Sequence, residues 1–192
     1  MKIFVTGGCG FIGSNFILDQ IHKKENKIFN YDKITYAASN NNLISLKNNS
    51  LYQFEKGDIV NKQHLFQSIN NFKPDYIINF AAESHVDRSI DGPKDFIMTN
   101  IVGTFQLLEA SLEYFNNLSI NKKNKFRLLH VSTDEVFGSL GEKEFFHEDT
   151  SYNPSSPYSA SKASSDHLVR AWSKTYGLPI LITNCSNNYG PY

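Results

Sequence analysis

The chain has 192 residues, 19 basic and 19 acidic side chains, a formal net charge of zero, and 40% apolar residues. That length predicts one domain with a full core, and the balanced charge excludes the basic footprint of a general nucleic-acid binder. Two cysteines, Cys9 and Cys185, are too few for a disulfide framework or a zinc site, and no apolar run approaches the roughly 20 residues of a membrane span.

Short β-type runs alternate with longer helical patterns along the chain. Residues 2–6, 27–32, 51–56, 75–80, 127–132 and 179–184 are predicted strands, continuous in apolar character as strands covered on both faces are. Between them, 11–23, 62–72, 93–115 and 159–176 are predicted helices. In the third, Ile97, Ile101, Phe105, Leu108, Leu112 and Phe115 recur at three- and four-residue steps, and Pro93 suits a first helical turn. Repeated β-then-α order predicts an α/β fold, a doubly wound parallel sheet of Rossmann type with helices on both faces. Residues 33–49 form a polar, Asn-rich loop with a short helix near 43–46. Residues 137–156, with clustered acids and Asn153-Pro154, form a long irregular connection of the kind that usually carries function. The opening apolar run is too short for a secretory signal, so a cytoplasmic protein is expected.

Gly7, Gly10 and Gly13 follow the first strand directly and open the first helix. In such a turn the first glycine permits the tight bend and the second lets a pyrophosphate approach the backbone. The third lets helix and strand pack closely. The phosphates then sit at a helix N-terminus, where free N–H groups favour anions. Asp32 ends the second strand, 19 residues after the last glycine, where a carboxylate accepts from ribose hydroxyls and repels a 2′-phosphate. NAD is therefore expected over NADP. Lys33 is a mild counter-signal, because a lysine could meet that phosphate. Asp58 and Ile59, past the third strand, are placed to flank the adenine.

Ligands on these sheets bind outside the carboxyl ends of the strands, where residues 81–89, 132–135 and 158–162 stand. Tyr158 and Lys162 are four apart and share a helix face. With 10 tyrosines and 19 basic residues in the chain, about one Tyr-x-x-x-Lys/Arg is expected by accident. The pair gains weight from the glycine turn and from Thr133 preceding it. A nearby ammonium and a nicotinamide cation are expected to lower the phenol from its usual pKa of about 10, making Tyr158 a base.

These stretches resemble the extended short-chain dehydrogenase/reductase family, and within it the sugar-nucleotide 4,6-dehydratases. The matching runs are residues 6–15, 81–90, 133–138 and 154–192, including Tyr158-Ser159-Ala160-Ser161-Lys162 and Asn187-Asn188-Tyr189-Gly190-Pro191-Tyr192. The likeness spans essentially the whole chain. It implies dTDP-glucose as substrate and NAD as cofactor, with no metal; His85 has no companions at ligand spacing. Tyr158 then takes the C4 hydroxyl proton, assisted by Thr133 and Lys162, while Asp134 is the acid and Glu135 the base of the elimination. Two carboxyls so close are expected to split their pKa values. The resemblance extends the cofactor contacts to Phe11, Ile12, Lys33, Thr35, Ala81, Ala82, Ser84, Thr99 and Asn188, and gives Ser84, Thr133 and Asn187 to the substrate. Glu83, His85, Asp87 and Arg88 are expected to form a buried polar network, and Cys9 and Cys185 to be small buried side chains.

A UDP-glucose 4,6-dehydratase, a related epimerase or decarboxylase, or an inactive NAD-binding fragment are the alternatives. Family members continue into a smaller substrate-binding domain. Residues 1–192 are therefore expected to be the cofactor domain, with an apolar patch beside the last strands. Helices 93–115 and 159–176 resemble those that pair two subunits in a four-helix bundle, implying a homodimer.

Overall fold

A computed structural model describes residues 1–141 and 145–192. Six strands form one parallel sheet: β1 (Lys2–Thr6), β2 (Lys27–Asp32), β3 (Tyr52–Lys56), β4 (Tyr76–Asn79), β5 (Arg127–Thr133) and β6 (Ile180–Cys185). Their order across the sheet is β3-β2-β1-β4-β5-β6. The chain therefore winds outward from β1 to β3, crosses back, and winds outward again from β4 to β6. The reversal between β1 and β4 opens the crevice in which such sheets bind ligands.

The helices are α1 (Phe11–His22), α2 (Lys62–Phe72), α3 (Val86–Asp91), α4 (Pro93–Phe96), α5 (Thr104–Asn116), α6 (Ile120–Lys125) and α7 (Pro157–Tyr176). On one face of the sheet Phe4, Leu65, Ile69, Ile77, Leu108, Leu128 and Val169 join β1, β4 and β5 to α2, α5 and α7. On the other, Val5, Ile17, Ile21, Ile28 and Ile78 seat α1. Phe4 and Val5 are both fully buried, one facing each layer, which is why the middle of β1, Ile3–Val5, is continuously apolar. Among the described residues no helix is long and apolar enough to cross a membrane.

Four elements differ from the sequence expectation. The stretch expected as one helix over 93–115 is broken by a π-helical segment, Ile97–Gly103, between α4 and α5. Its wider turn rotates the face. Ile97 is 49% exposed, and α5 instead buries Thr104, Leu107, Leu108, Ala110, Ser111 and Tyr114. Helices α3 and α6 and the 3-10 turn Asp134–Phe137 are too short to show a period, and none was expected. The loop over 33–49 does carry its short helix, a 3-10 turn over Asn40–Leu46 that buries Leu43 and Leu46. The 137–156 connection is irregular where described, packed on Phe137, Phe146 and Tyr152; two of its clustered acids, Glu142 and Glu144, lie outside the described residues. Beside the last strand, Leu181 is 56% and Tyr192 62% exposed.

Candidate active site

A cleft of about 460 Å³ runs along the carboxyl ends of the strands. Gly7, Gly10, Phe11, Ile12, Gly13, Asp32, Lys33, Thr35, Asp58 and Ile59 line one half. Ala81, Ala82, Ser84, Thr99, Tyr158 and Lys162 line the other, with Tyr31, Glu83, His85, Ser132 and Tyr192 added.

The glycines do different work. Gly7 has φ +72°, and a Cβ there would collide with the backbone of Ala81; one on Gly13 would collide with the Gly7 carbonyl. Those two are required by the fold itself. A Cβ on Gly10 would meet nothing closer than the Gly7 oxygen at 3.5 Å. No protein atom demands glycine at that position, which opens α1 as its N-cap and faces the cleft. A bare backbone at a helix N-terminus is what a closely approaching diphosphate needs.

Asp32 is nearly buried at the end of β2. Its Oδ2 accepts from the Cys9 N–H at 2.8 Å and its Oδ1 from the Ile34 N–H at 2.7 Å. Burial pushes its carboxyl up and these two amides pull it back in part. Ile34 sits at φ +57°, a strained conformation for a β-branched residue, and that bend turns the 33–38 loop along the cleft. Lys33, the counter-signal to NAD, is held by Asp58 at 2.8 Å, so its charge is already paired.

At the other end, β5 delivers Thr133, Asp134 and Glu135 and α7 delivers Tyr158 and Lys162. Helix α7 begins with a capping box between Ser156 and Ser159 and with Pro157 in its first turn, which fixes Tyr158 one residue inside the start. The Lys162 ammonium donates to the Val131 carbonyl at 2.8 Å, pinning the helix to β5. Burial pushes Lys162 down to about 8 against the upward pull of Asp166.

The expected lowering of Tyr158 does not occur in the protein alone. Burial pushes the phenol up to about 12; the Thr133 hydrogen bond lowers it, and the charges of Glu135, Asp134 and Asp166 raise it further. Burial is the largest cause, and the Lys162 ammonium that could offset it donates to the Val131 carbonyl. Glu135 is raised, first by burial and then by its neighbour Asp134. Thr133, Asp134 and Glu135 do not line the cleft itself but adjoin it through Thr133 and Tyr158. Asn187 and Asn188 stand exposed and outside the lining residues.

The polar group expected as a buried network lies at the surface instead. Tyr36 donates to Glu83 at 2.9 Å and lies 3.3 Å from His85 Nδ1, and the Arg88 guanidinium sits 3.5 Å from the Tyr36 ring centre. His85, Asp87 and Arg88 are exposed, because α3 is a short outer turn rather than a core element. Cys185 is half-buried, on an edge strand; Cys9 is fully buried. Sequence reasoning missed Asn100 altogether. From within the π segment its side chain clamps the Glu83 backbone at both N–H and carbonyl, each at 2.9 Å, and donates to Ser161 at 2.8 Å. It joins the loop after β4 to α7, and its inward aim depends on a π turn that no apolar period reveals.

The fold, the glycine cradle and the Thr–Tyr–Lys set define a Rossmann-like class of the short-chain dehydrogenase/reductase type. The chain belongs to the family described as GDP-mannose 4,6 dehydratase, whose model matches residues 4–192. A dTDP-glucose 4,6-dehydratase of Escherichia coli is 53% identical over 201 aligned residues, covering 100% of this chain and 56% of that protein. The crystal structure of the Bacillus anthracis dTDP-glucose 4,6-dehydratase with NAD superimposes at TM-score 0.87, with 44% identity, over 100% of this chain and 56% of that one. The Streptomyces venezuelae dTDP-glucose 4,6-dehydratase, also solved with NAD, gives 0.90 and 40% over 100% and 57%. The chain spans little more than half the length of the curated relatives it matches.

Proposed function

We propose that this chain is the cofactor-binding and catalytic part of an NAD-dependent dTDP-glucose 4,6-dehydratase, a hydro-lyase. The observation that carries the reading is the adjacent pair Asp134 and Glu135 at the end of β5, next to the hydrogen-bonded Thr133 and Tyr158. Epimerisation at C4 needs a base and a hydride acceptor; elimination across C5–C6 also needs a second base and an acid.

Tyr158 accepts the C4 hydroxyl proton, with Thr133 fixing the phenol by its hydrogen bond. Bound NAD would supply the hydride acceptor for C4, a positive charge offsetting the carboxylates around Tyr158, and the hydride returned to C6. The C4 ketone acidifies the C5 hydrogen, and Glu135 removes that proton. Asp134 protonates the departing C6 hydroxyl, which leaves as water. Gly10 gives the diphosphate its backbone approach, Asp32 takes the adenosine ribose, and the paired Lys33 leaves NAD preferred over NADP.

Thr35, Ala81, Ala82, Ser84 and Thr99 complete the cofactor wall, with Ser84 and Thr133 reaching the sugar. Asn187 and Asn188 serve substrate and cofactor in this reading once the exposed tail folds over the cleft, as its neighbour Tyr192 already does. Residues 1–192 form one domain, and the exposed Leu181 suits a further domain beside β6. Two copies pair through α5 and α7, where Phe105, Trp172 and a half-exposed Tyr176 stack. The free cysteines suit a reducing cytoplasm.

The test is turnover of dTDP-glucose and UDP-glucose, followed by the absorbance that 4-keto-6-deoxy sugars develop in alkali. The chain is assayed alone and joined to the remaining length its relatives carry. A 4-keto signal with dTDP-glucose in the longer protein is expected. Signal with UDP-glucose alone reassigns the base, and no signal with either removes the dehydratase reading.

A further inference from the structure

Behind the reactive groups lies a polar cluster that the mechanism above does not use. Asp166 is fully buried on α7, one helical turn beyond Lys162 and on the same face. Its Oδ2 accepts from Ser132 on β5 at 2.8 Å, from Tyr152 of the long connection at 2.9 Å, and from Asn184 on β6 at 3.4 Å. Asn184 also donates to the Thr133 carbonyl at 3.1 Å. The other Asp166 oxygen, Oδ1, makes no hydrogen bond of good geometry and lies 3.4 Å from His130 Nε2. His130 Nδ1 meets the Asn79 side-chain amide at 3.1 Å, whose oxygen in turn accepts from Thr6 at 2.6 Å.

A carboxylate removed from water costs several kcal/mol unless something uses its charge. Here the neighbour that needs it is Lys162, an ammonium 4% exposed that donates to the neutral Val131 carbonyl. We propose that Asp166 is a positioning residue of the reaction: it is the counter-charge that keeps the buried Lys162 protonated and the tether that fixes the strand end bearing Ser132 and Thr133. This rests on the dehydratase reading for its catalytic meaning, though not for its electrostatics.

The surroundings leave Asp166 as the charge in question. Facing Lys162 are Asp166 and Tyr158 on its own helix, His130 on β5 and Cys185 on β6. Facing Asp166 are Lys162, His130 and Tyr152, with Arg170 behind Tyr152 at 3.1 Å from its hydroxyl. His130 is held neutral by burial and then by the Lys162 charge, down to about 4. Burial pushes Asp166 up, but His130, Ser132 and Lys162 together outweigh it and hold the carboxyl below its usual range. Asp166 is thus the ionised anion among them, and it opposes the burial that lowers Lys162.

The experiment reads Lys162 directly, on the protein with and without NAD. The side-chain ammonium is followed by 15N–1H NMR against pH and assigned by its loss in Lys162→Met. In Asp166→Asn, which keeps the shape and loses the charge, the Lys162 midpoint should fall by at least one unit, a tenfold change in its ionisation equilibrium. Tyr152→Phe, which loses a hydrogen bond and keeps the charge, should move it by less than about a third of that. Equal shifts in the two variants, or none in Asp166→Asn, overturn the proposal. Should Asp166→Asn not fold, the Asp166 carboxyl carbon in the unaltered protein decides instead: it must stay ionised throughout the neutral range, and a protonated signal refutes the assignment. These outcomes do not depend on turnover, so failure of the dehydratase assay leaves them separately readable.

Discussion

Helices α2 and α7 lie on the same side of the sheet and bury opposite kinds of surface. Helix α2 seats Leu65, Ile69 and Phe72 with one polar residue, Ser68. Helix α7 buries Tyr158, Ser159, Ser161, Lys162, Ser165 and Asp166, with only Ala163 and Val169 as apolar partners. Apolar burial stabilises a helix by roughly 25 cal/mol per Å² without regard to direction, whereas buried hydrogen bonds contribute little net and fix position. A helix with the α7 face is built for placement. The fold around α2 could be repacked, while α7 tolerates little change in its polar set.

Four experiments test that contrast. The largest effect is on chemistry: Tyr158→Phe should reduce turnover about 10²- to 10⁴-fold, the span of a lost general base, with the melting temperature nearly unchanged. A large loss of stability would mean that the hydroxyl is structural. Gly7→Ala should cost more than about 2 kcal/mol in urea unfolding, since it combines a left-handed backbone with a collision on Ala81. Gly10→Ala should cost less than about 1 kcal/mol yet abolish NAD binding by calorimetry, because only a ligand needs that space. Equal destabilisation by the two would remove the argument for a cradle.

The third test is acid. His130 has its pKa lowered from 6.5 to about 4, first by burial, so the unfolded chain binds a proton that the folded chain refuses. Stability is therefore whole above the unfolded value and falls as pH drops from 6.5 toward about 4, by up to about 3 kcal/mol. Urea midpoints across that window should show the decline, and His130→Gln should flatten it. The smallest change is Ser156→Ala, which removes the capping box of α7. About 1 kcal/mol is expected from thermal unfolding, with a loss of activity larger than that stability change, if start position matters more to α7 than strength.

The sheet was readable because most strands are short apolar runs ended by a polar or glycine signal; Lys2–Thr6 and Lys27–Asp32 match the expectation to the residue, and the other four strands are off by one residue at one end or both. The glycine turn and the Tyr158–Lys162 pair were readable for the same reason, being local in sequence. What escaped depends on long-range geometry. The π turn has no pattern distinct from an α-helix, so Asn100 and the rotated face of α5 stayed hidden. Tyr36 meets Glu83 across 47 positions, and Asp166 meets Ser132 across 34. In the protein alone the Tyr158 phenol stays high, first through burial; spacing shows that a lysine is near, and only the fold shows that its ammonium donates to Val131.

The central place of β1 has a consequence for how the protein is made. Strand β1 precedes both of its partners in the chain: it pairs on one side with β2 and on the other with β4, whose register joins Phe4 to Ile77 and Thr6 to Asn79. Until residue 79 leaves the ribosome, the innermost strand has one open edge and Phe4 has only part of its core. At usual elongation rates of about 5–20 residues per second, that interval lasts some seconds. Growing chains of this protein therefore carry β1 with one open edge over that interval, and a chaperone that binds extended apolar segments would find its target in Ile3, Phe4 and Val5.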